Sequence, residues 1–247
     1  GTGFTAHRNG KGATDFMVAK LNFPNAIVAQ KLRDEYFERY HSTAKALAVA
    51  EEEGRLPPAP DGWPEGKKRF DAGDLSEWWA EHLDFSMLGK PDEELVEMLS
   101  SCPLKMIAFS NGPRKYVLRV LHEMGLSDVF PDDMVFAVND VLPHCKPEKE
   151  AFQKVFDKVG VTDASECMMV EDSMKNTRAA KDLGMATLLI AGIGKLSKDP
   201  NSGSKDLTEA AEATKPGDAP DVTDPAVDVC IETVKEMKAA LPSLWES

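Results

Sequence analysis

Hydrophobic positions fall into two textures along the chain, divided near residue 95. Between Asp15 and Leu99 they recur at helical spacing: Leu32, Tyr36, Phe37 and Tyr40 form one stripe, and Leu75, Trp78, Trp79 and Leu83 another. Such a period puts one apolar face on each amphipathic helix. Between the stripes, Gly54 to Gly66 carries four prolines and three glycines and is expected to be a loop. From Lys105 onward short apolar runs alternate with helical patterns. The expected strands are Met106 to Phe109, Met134 to Val138, Cys167 to Val170, Ala186 to Ile190 and Val227 to Ile231. The expected helices are Pro113 to Met124, Pro147 to Val159 and about Ser173 to Leu183, stopped by Gly125, Gly160 and Gly184. This alternation predicts an α/β fold built on a doubly wound parallel sheet. Leu196 to Asp224, rich in Ser, Gly, Pro, Asp and Lys, reads as a long surface loop without a role of its own.

Composition narrows the partners. The 247 residues are 42% hydrophobic and 29% charged, an ordinary globular balance, and 29 Lys+Arg against 42 Asp+Glu give a net charge of −13. A field of that sign repels nucleic acid and anionic membranes alike, so neither is an expected partner. Cys102, Cys145, Cys167 and Cys230 show neither zinc spacing nor a disulfide framework. A reducing, cytoplasmic setting is therefore expected, although with Gly1 first any targeting segment would lie outside the chain.

In an open parallel sheet, ligands bind beyond the carboxyl ends of the strands. Three loops there carry unusual residues. Ser110, Asn111 and Gly112 precede a helix, where a hydroxyl, an amide and free backbone N–H groups can cradle an anion; the bland alternative is a helix cap. Lys146, beside Pro147, opposes the dipole of the next helix and calls for an anionic partner, unless it simply points to solvent. Glu171 and Asp172 follow an apolar strand, with Ser173 and Asn176 behind, and suit a hard cation such as magnesium; here too Asp172 or Ser173 could be an N-cap. Together the three loops describe a phosphate-plus-magnesium site.

With these motifs the sequence resembles the haloacid-dehalogenase-like (HAD) phosphohydrolases. Ile107-Ala108-Phe109-Ser110-Asn111 matches the family's second motif, Lys146-Pro147 the third, and Glu171-Asp172 with Ser173 and Asn176 the fourth. The resemblance implies an α-helical cap at 11–94 inserted into a core formed by 1–10 and 95–247. More narrowly, Asp15-Phe16-Met17-Val18, Tyr36-Phe37-Glu38-Arg39-Tyr40 and Ala240 to Glu246 resemble the pyrimidine 5′-nucleotidase-like branch, from which His41 departs where glycine is usual. The resemblance further implies a magnesium-dependent phosphatase of small phosphorylated metabolites, with pyrimidine nucleotides as the substrates the branch suggests. Lys146 and Ser110 would then be catalytic, Ser110, Asn111, Gly112 and Lys146 would bind phosphate, Glu171 and Asp172 would hold the metal, and Ser173 and Asn176 would support them. Replacing Lys146 is expected to lower turnover and to leave stability nearly unchanged.

The family's first motif, an apolar strand ending in Asp-x-Asp, has no match here. It implies the phosphoryl-accepting nucleophile and the middle strand of the sheet, so the chain by itself is expected to be inactive. The competing reading is a non-catalytic phosphate-ligand binder. Gly192-Ile193-Gly194 lacks the third glycine of a dinucleotide-binding turn. The adjacent His144 and Cys145 point to opposite sides and make no dyad. Trp78 and Trp79 read as helical core ahead of a base-stacking platform.

Overall fold

The computed structural model describes residues 3–195 and 220–246. Most of the expected 196–224 loop lies outside the described residues. Compact packing divides the chain into two units, Gly1–Pro91 with Met106–Cys145, and Asp92–Lys105 with Lys146–Ser247. This differs from a cut at 10/11 and 94/95: the helices of the N-terminal stretch share a unit, and one apolar cluster, with residues 106–145.

In the first unit, α1 (Phe4–His7), a π-helical turn (Arg8–Gly12) and α2 (Ala13–Leu21) form one continuous helical run, so residues 4–10 already belong to the helices. Then come α3 (Ala26–Tyr40), α4 (Thr43–Glu52) and α5 (Ala72–His82). Local chemistry sets their ends. The Asn25, Ser42 and Asp71 side chains accept from Val28, Lys45 and Gly73 N–H groups and so cap α3, α4 and α5. At the end of α3, His41 adopts φ 49°, a left-handed C-cap that glycine takes without strain, which is a physical reason for glycine there. The 54–66 segment is a loop as expected, stapled by Arg69, whose guanidinium donates to the Pro57 and Leu21 carbonyls.

Next in this unit, β1 (Ala108–Phe109) pairs in parallel with β2 (Val135–Phe136). Between them runs α7 (Arg114–Glu123), with Pro113 as its N-cap instead of in its first turn. The expected Met134–Val138 strand stops at Phe136 because the chain turns into α8 (Val138–Val141). Tyr116 of α7 packs against Phe4, Trp79 and Phe85, which explains why the helices and this α/β element share a core.

The second unit begins with α6 (Glu93–Ser100) and continues with α9 (Lys149–Val159), β3 (Met168–Glu171), α10 (Met174–Asp182), β4 (Ala186–Ile190), β5 (Val229–Ile231) and α11 (Met237–Ala240). Here α9 starts two residues beyond Pro147, with Glu148 at its N-cap, so the proline marks the approach to the helix and not its first turn. The three strands are parallel in the order β3-β4-β5, with Val170 opposite Leu188 and Leu188 opposite Val229. Thus the strands are parallel as expected but form two separate sheets, and among the described residues none pairs with the other edge of β1 or β3. Asp228 ties β4 to β5 by accepting from Thr187 N–H (2.9 Å), Thr187 Oγ1 (3.2 Å) and Lys181 Nζ (2.5 Å). Asp228→Ala strands the Thr187 N–H, while the Thr187 hydroxyl keeps Ala226 O at 2.6 Å and Lys181 can turn to water; it should lower unfolding free energy by about 1–3 kcal/mol in urea titrations, and an unchanged midpoint would mean that water replaces the carboxylate.

All four cysteines are free thiols. Among the described residues no helix is long and apolar enough to cross a membrane.

Candidate active site

The first group of predicted residues sits at the end of β1. Ser110 extends the ladder by donating its N–H to Phe136 O (2.9 Å), and its Oγ accepts from Gly112 N–H (3.0 Å). A Cβ on Gly112 would meet the Tyr116 ring at 3.1 Å and Ser110 Oγ at 3.2 Å, so the tight turn favours glycine. The expected anion cradle is partly spoken for. Besides the Gly112 N–H, those of Arg114 and Lys115 donate to Asn139 Oδ1 (2.9 Å) and Ser76 Oγ (2.7 Å). The hydroxyl hydrogen of Ser110 remains the loop's evident donor. Asn111 is held through its carbonyl, which accepts from Ser42 Oγ at 3.0 Å.

The second group gathers at the end of β3 in the other unit. Lys146 Nζ donates to Glu171 Oε2 at 2.7 Å, and Asn176 Nδ2 donates to the same oxygen at 3.1 Å. Glu171 Oε1 accepts the N–H groups of Asp172 (3.1 Å) and Ser173 (3.3 Å). Lys146 is thus no solvent-directed lysine: the two charged side chains are 8% and 9% exposed. Nor does Ser173 cap α10 with its side chain; the Glu171 carboxylate meets the N–H groups at the start of that helix instead. Burial alone would raise the Glu171 pKa, but the Lys146 charge and the converging hydrogen bonds outweigh it and hold the group at about 2. Asp172 goes the other way, to about 7, through lost hydration of its carboxyl and then the hydrogen bond and charge of Glu171.

This donor set bears on the implied magnesium. Among the described residues no group of three His, Cys, Asp or Glu side chains could hold a metal. Magnesium, however, commonly takes one or two carboxylates and fills its shell with water and substrate phosphate. A carboxyl that keeps its proton near neutral pH beside a second carboxylate suits exchange of that proton for a cation. Asp172 fits a direct ligand, whereas Glu171, with four donors on its two oxygens, fits the supporting position.

The remaining motifs resolve into structure. Gly192 and Gly194 have φ 89° and 74° in a turn. Cys145 is buried and donates Sγ–H to Tyr40 O at 3.4 Å. Trp79 lies in the core, and Trp78 stacks on His82 at 3.9 Å.

A family profile described as haloacid dehalogenase-like hydrolase matches residues 13–184. The chain belongs to this family. It is 28% identical over 113 residues to a phosphoglycolate phosphatase of Pseudomonas syringae pv. tomato, covering 46% of this chain and 40% of that protein. A Vibrio parahaemolyticus phosphoglycolate phosphatase is 33% identical over 95 residues, 38% of this chain and 40% of that protein. The chain thus spans about two fifths of the length of the curated relatives it matches. Among solved structures, L-2-haloacid dehalogenase from Xanthobacter autotrophicus superposes with a TM-score of 0.53 at 18% identity, covering 95% of this chain and 93% of that one. A HAD phosphatase from Thermococcus onnurineus gives 0.51 at 19% identity, with 96% and 90% covered. At such identities these two neighbours speak for the fold alone.

Proposed function

We propose that this HAD-family chain carries the phosphate-handling residues of a magnesium-dependent phosphatase acting on small phosphomonoesters. The observation that supports it most is the buried Lys146–Glu171 pair, steadied by Asn176, with Asp172 next to it at a strand end. An ammonium fixed by a carboxylate and withdrawn from bulk water is preorganised to stabilise charge on phosphoryl oxygens. The family resemblance assigns the Ser110 hydroxyl a phosphate-binding role as well. Asp172, supported by Glu171, would hold magnesium, which polarises the phosphoryl group when bound. The same resemblance gives the helices at 11–94 the role of a cap. A cytoplasmic setting accords with the four free thiols.

Two substrate readings have support: a pyrimidine nucleoside 5′-monophosphate, from the branch resemblance, and phosphoglycolate, from the names of the relatives. In this proposal Lys146 and Ser110 bind and polarise, and an Asp-x-Asp strand must supply the phosphoryl acceptor. Orthophosphate release from an aryl phosphate, uridine 5′-monophosphate and phosphoglycolate should therefore be absent with the chain alone and appear when an apolar strand ending in Asp-x-Asp is joined ahead of Gly1. Turnover by the chain alone, abolished by Ser110→Ala, would indicate serine chemistry; no turnover in either protein would favour a non-catalytic binder. In the extended protein, Asp172→Asn should weaken magnesium affinity at least about tenfold by calorimetry. Equal affinities would remove Asp172 from the metal site.

A further inference from the structure

The peptide unit between Asn111 and Gly112 is held at both ends by serine hydroxyls. On its carbonyl side Ser42 Oγ donates to Asn111 O at 3.0 Å, and on its amide side Gly112 N–H donates to Ser110 Oγ, also at 3.0 Å. A peptide is planar, so fixing the direction of its C=O fixes that of its N–H. Ser42 is 2% exposed and shares one compact unit with both partners. Its Oγ also accepts from Lys45 N–H at 3.4 Å and so caps α4. The following peptide is pinned in turn, since Gly112 O accepts from Val138 N–H at 3.0 Å. These bonds all run one way. The start of α4 donates to Ser42, Ser42 to the Asn111 carbonyl, and the Gly112 amide to Ser110, whose own hydroxyl hydrogen meets no acceptor among the described residues. In such a chain each bond polarises the next, so a donor at one end strengthens the donor at the other.

We propose that Ser42 is a positioning residue for the phosphate-binding loop: through the Asn111–Gly112 peptide it orients and strengthens the Ser110 hydroxyl as a donor to a phosphoryl oxygen, without touching the ligand itself. This rests on the phosphate-binding role of Ser110 in the reading above. With one lone pair of Ser110 Oγ taken by a fixed N–H, its hydrogen is confined to the directions that remain. Without the Ser42 hydroxyl the Asn111 carbonyl loses this donor, the peptide is free to tilt, and the Gly112 N–H no longer sets the serine.

The test is calorimetric titration of the 247-residue chain with ethyl phosphate in a magnesium-containing buffer. Ser42→Ala should weaken binding about tenfold, the scale of one hydrogen bond. Ser110→Ala should weaken it too, and adding Ser42→Ala to that variant should cost nothing more, because the relay then has no end to act on. Asn25→Ala, which removes the cap of α3 in the same unit, separates this from a loss of helix capping: it should melt about 2–4 °C lower yet bind as the parent does. Should Ser42→Ala not fold, Ser42→Cys carries the comparison, being nearly the same size with only a weak S–H donor, and should bind several-fold more weakly than the parent. Unchanged affinity on replacing Ser42, additive losses from the Ser42 and Ser110 variants, or an equal loss in Asn25→Ala would overturn the relay while leaving the phosphate reading intact. No binding by the parent, or full affinity in Ser110→Ala, would overturn both.

Discussion

Lys146→Met should lower the unfolding free energy by about 3 kcal/mol, the lower end of the range for stripping a buried ion pair of one partner. Sequence reasoning takes Lys146 as the main cationic contact to the transferred group and expects little change in stability. The structure places its ammonium 2.7 Å from Glu171 with both side chains under a tenth exposed. Asn176 and two backbone N–H groups would still serve Glu171, which keeps the loss from being larger. The Glu171 pKa, lowered from 4.5 to about 2 with the Lys146 charge as the first lowering cause, gives the sign of the pH dependence. Because the folded value is the lower one, this stability is fully present above about pH 4.5 and is lost as pH falls toward 2. The variant should lose that acid-side slope, and adding Glu171→Gln should recover most of the neutral-pH stability without recovering function. In the extended protein, turnover of an aryl phosphate should drop at least about 100-fold in Lys146→Met. Guanidinium titrations at several pH values decide the first part: a variant as stable as the parent at neutral pH would mean that the pair contributes nothing.

Trp79→Ala should cost about 3–5 kcal/mol, the usual range for emptying a large aromatic site in a core. Trp79 is 2% exposed, donates Nε1–H to Gly12 O at 3.0 Å and meets the Tyr116 ring edge-on at 5.4 Å. It therefore joins the N-terminal helical run to α7, and the partly exposed Arg8 guanidinium lies 5.7 Å from its ring. Trp78→Ala should cost far less, because Trp78 is half-buried and its main ring partner is His82, 3.9 Å away and itself exposed. Equal losses from the two variants, measured by denaturant unfolding, would contradict this assignment of Trp79 as the keystone of the unit.

How much of this was legible in the sequence varied with the range of the interaction. Periodicity located the stripes of α3 and α5 and all five strands, since the spacing of apolar side chains is a local property. Ala186 to Ile190 was read to the residue, whereas the runs at 106–109 and 134–138 shrank to two residues each, because a strand extends only as far as its partner continues. Glycine and proline marked helix ends to within two residues. Loop composition also singled out Ser110, Lys146 and Glu171-Asp172 as candidates, because a hydroxyl, a lysine and paired acids after strands are uncommon as plain turns.

Pairings across long separations were settled only by the tertiary structure. That Lys146 meets Glu171, 25 residues on, that Glu171 and not Ser173 serves the start of α10, and that Ser42 reaches Asn111, 69 residues on, follow from packing that no local pattern encodes. The grouping of the N-terminal helices with α7 was equally hidden, since an apolar stripe states that a face is buried but not against what. Residue types and spacing therefore determined which elements form and which side chains are candidates for chemistry; burial and distance, which depend on the whole folded chain, decided which charges are paired, which N–H groups are occupied, and that Lys146 and Glu171 lie out of water.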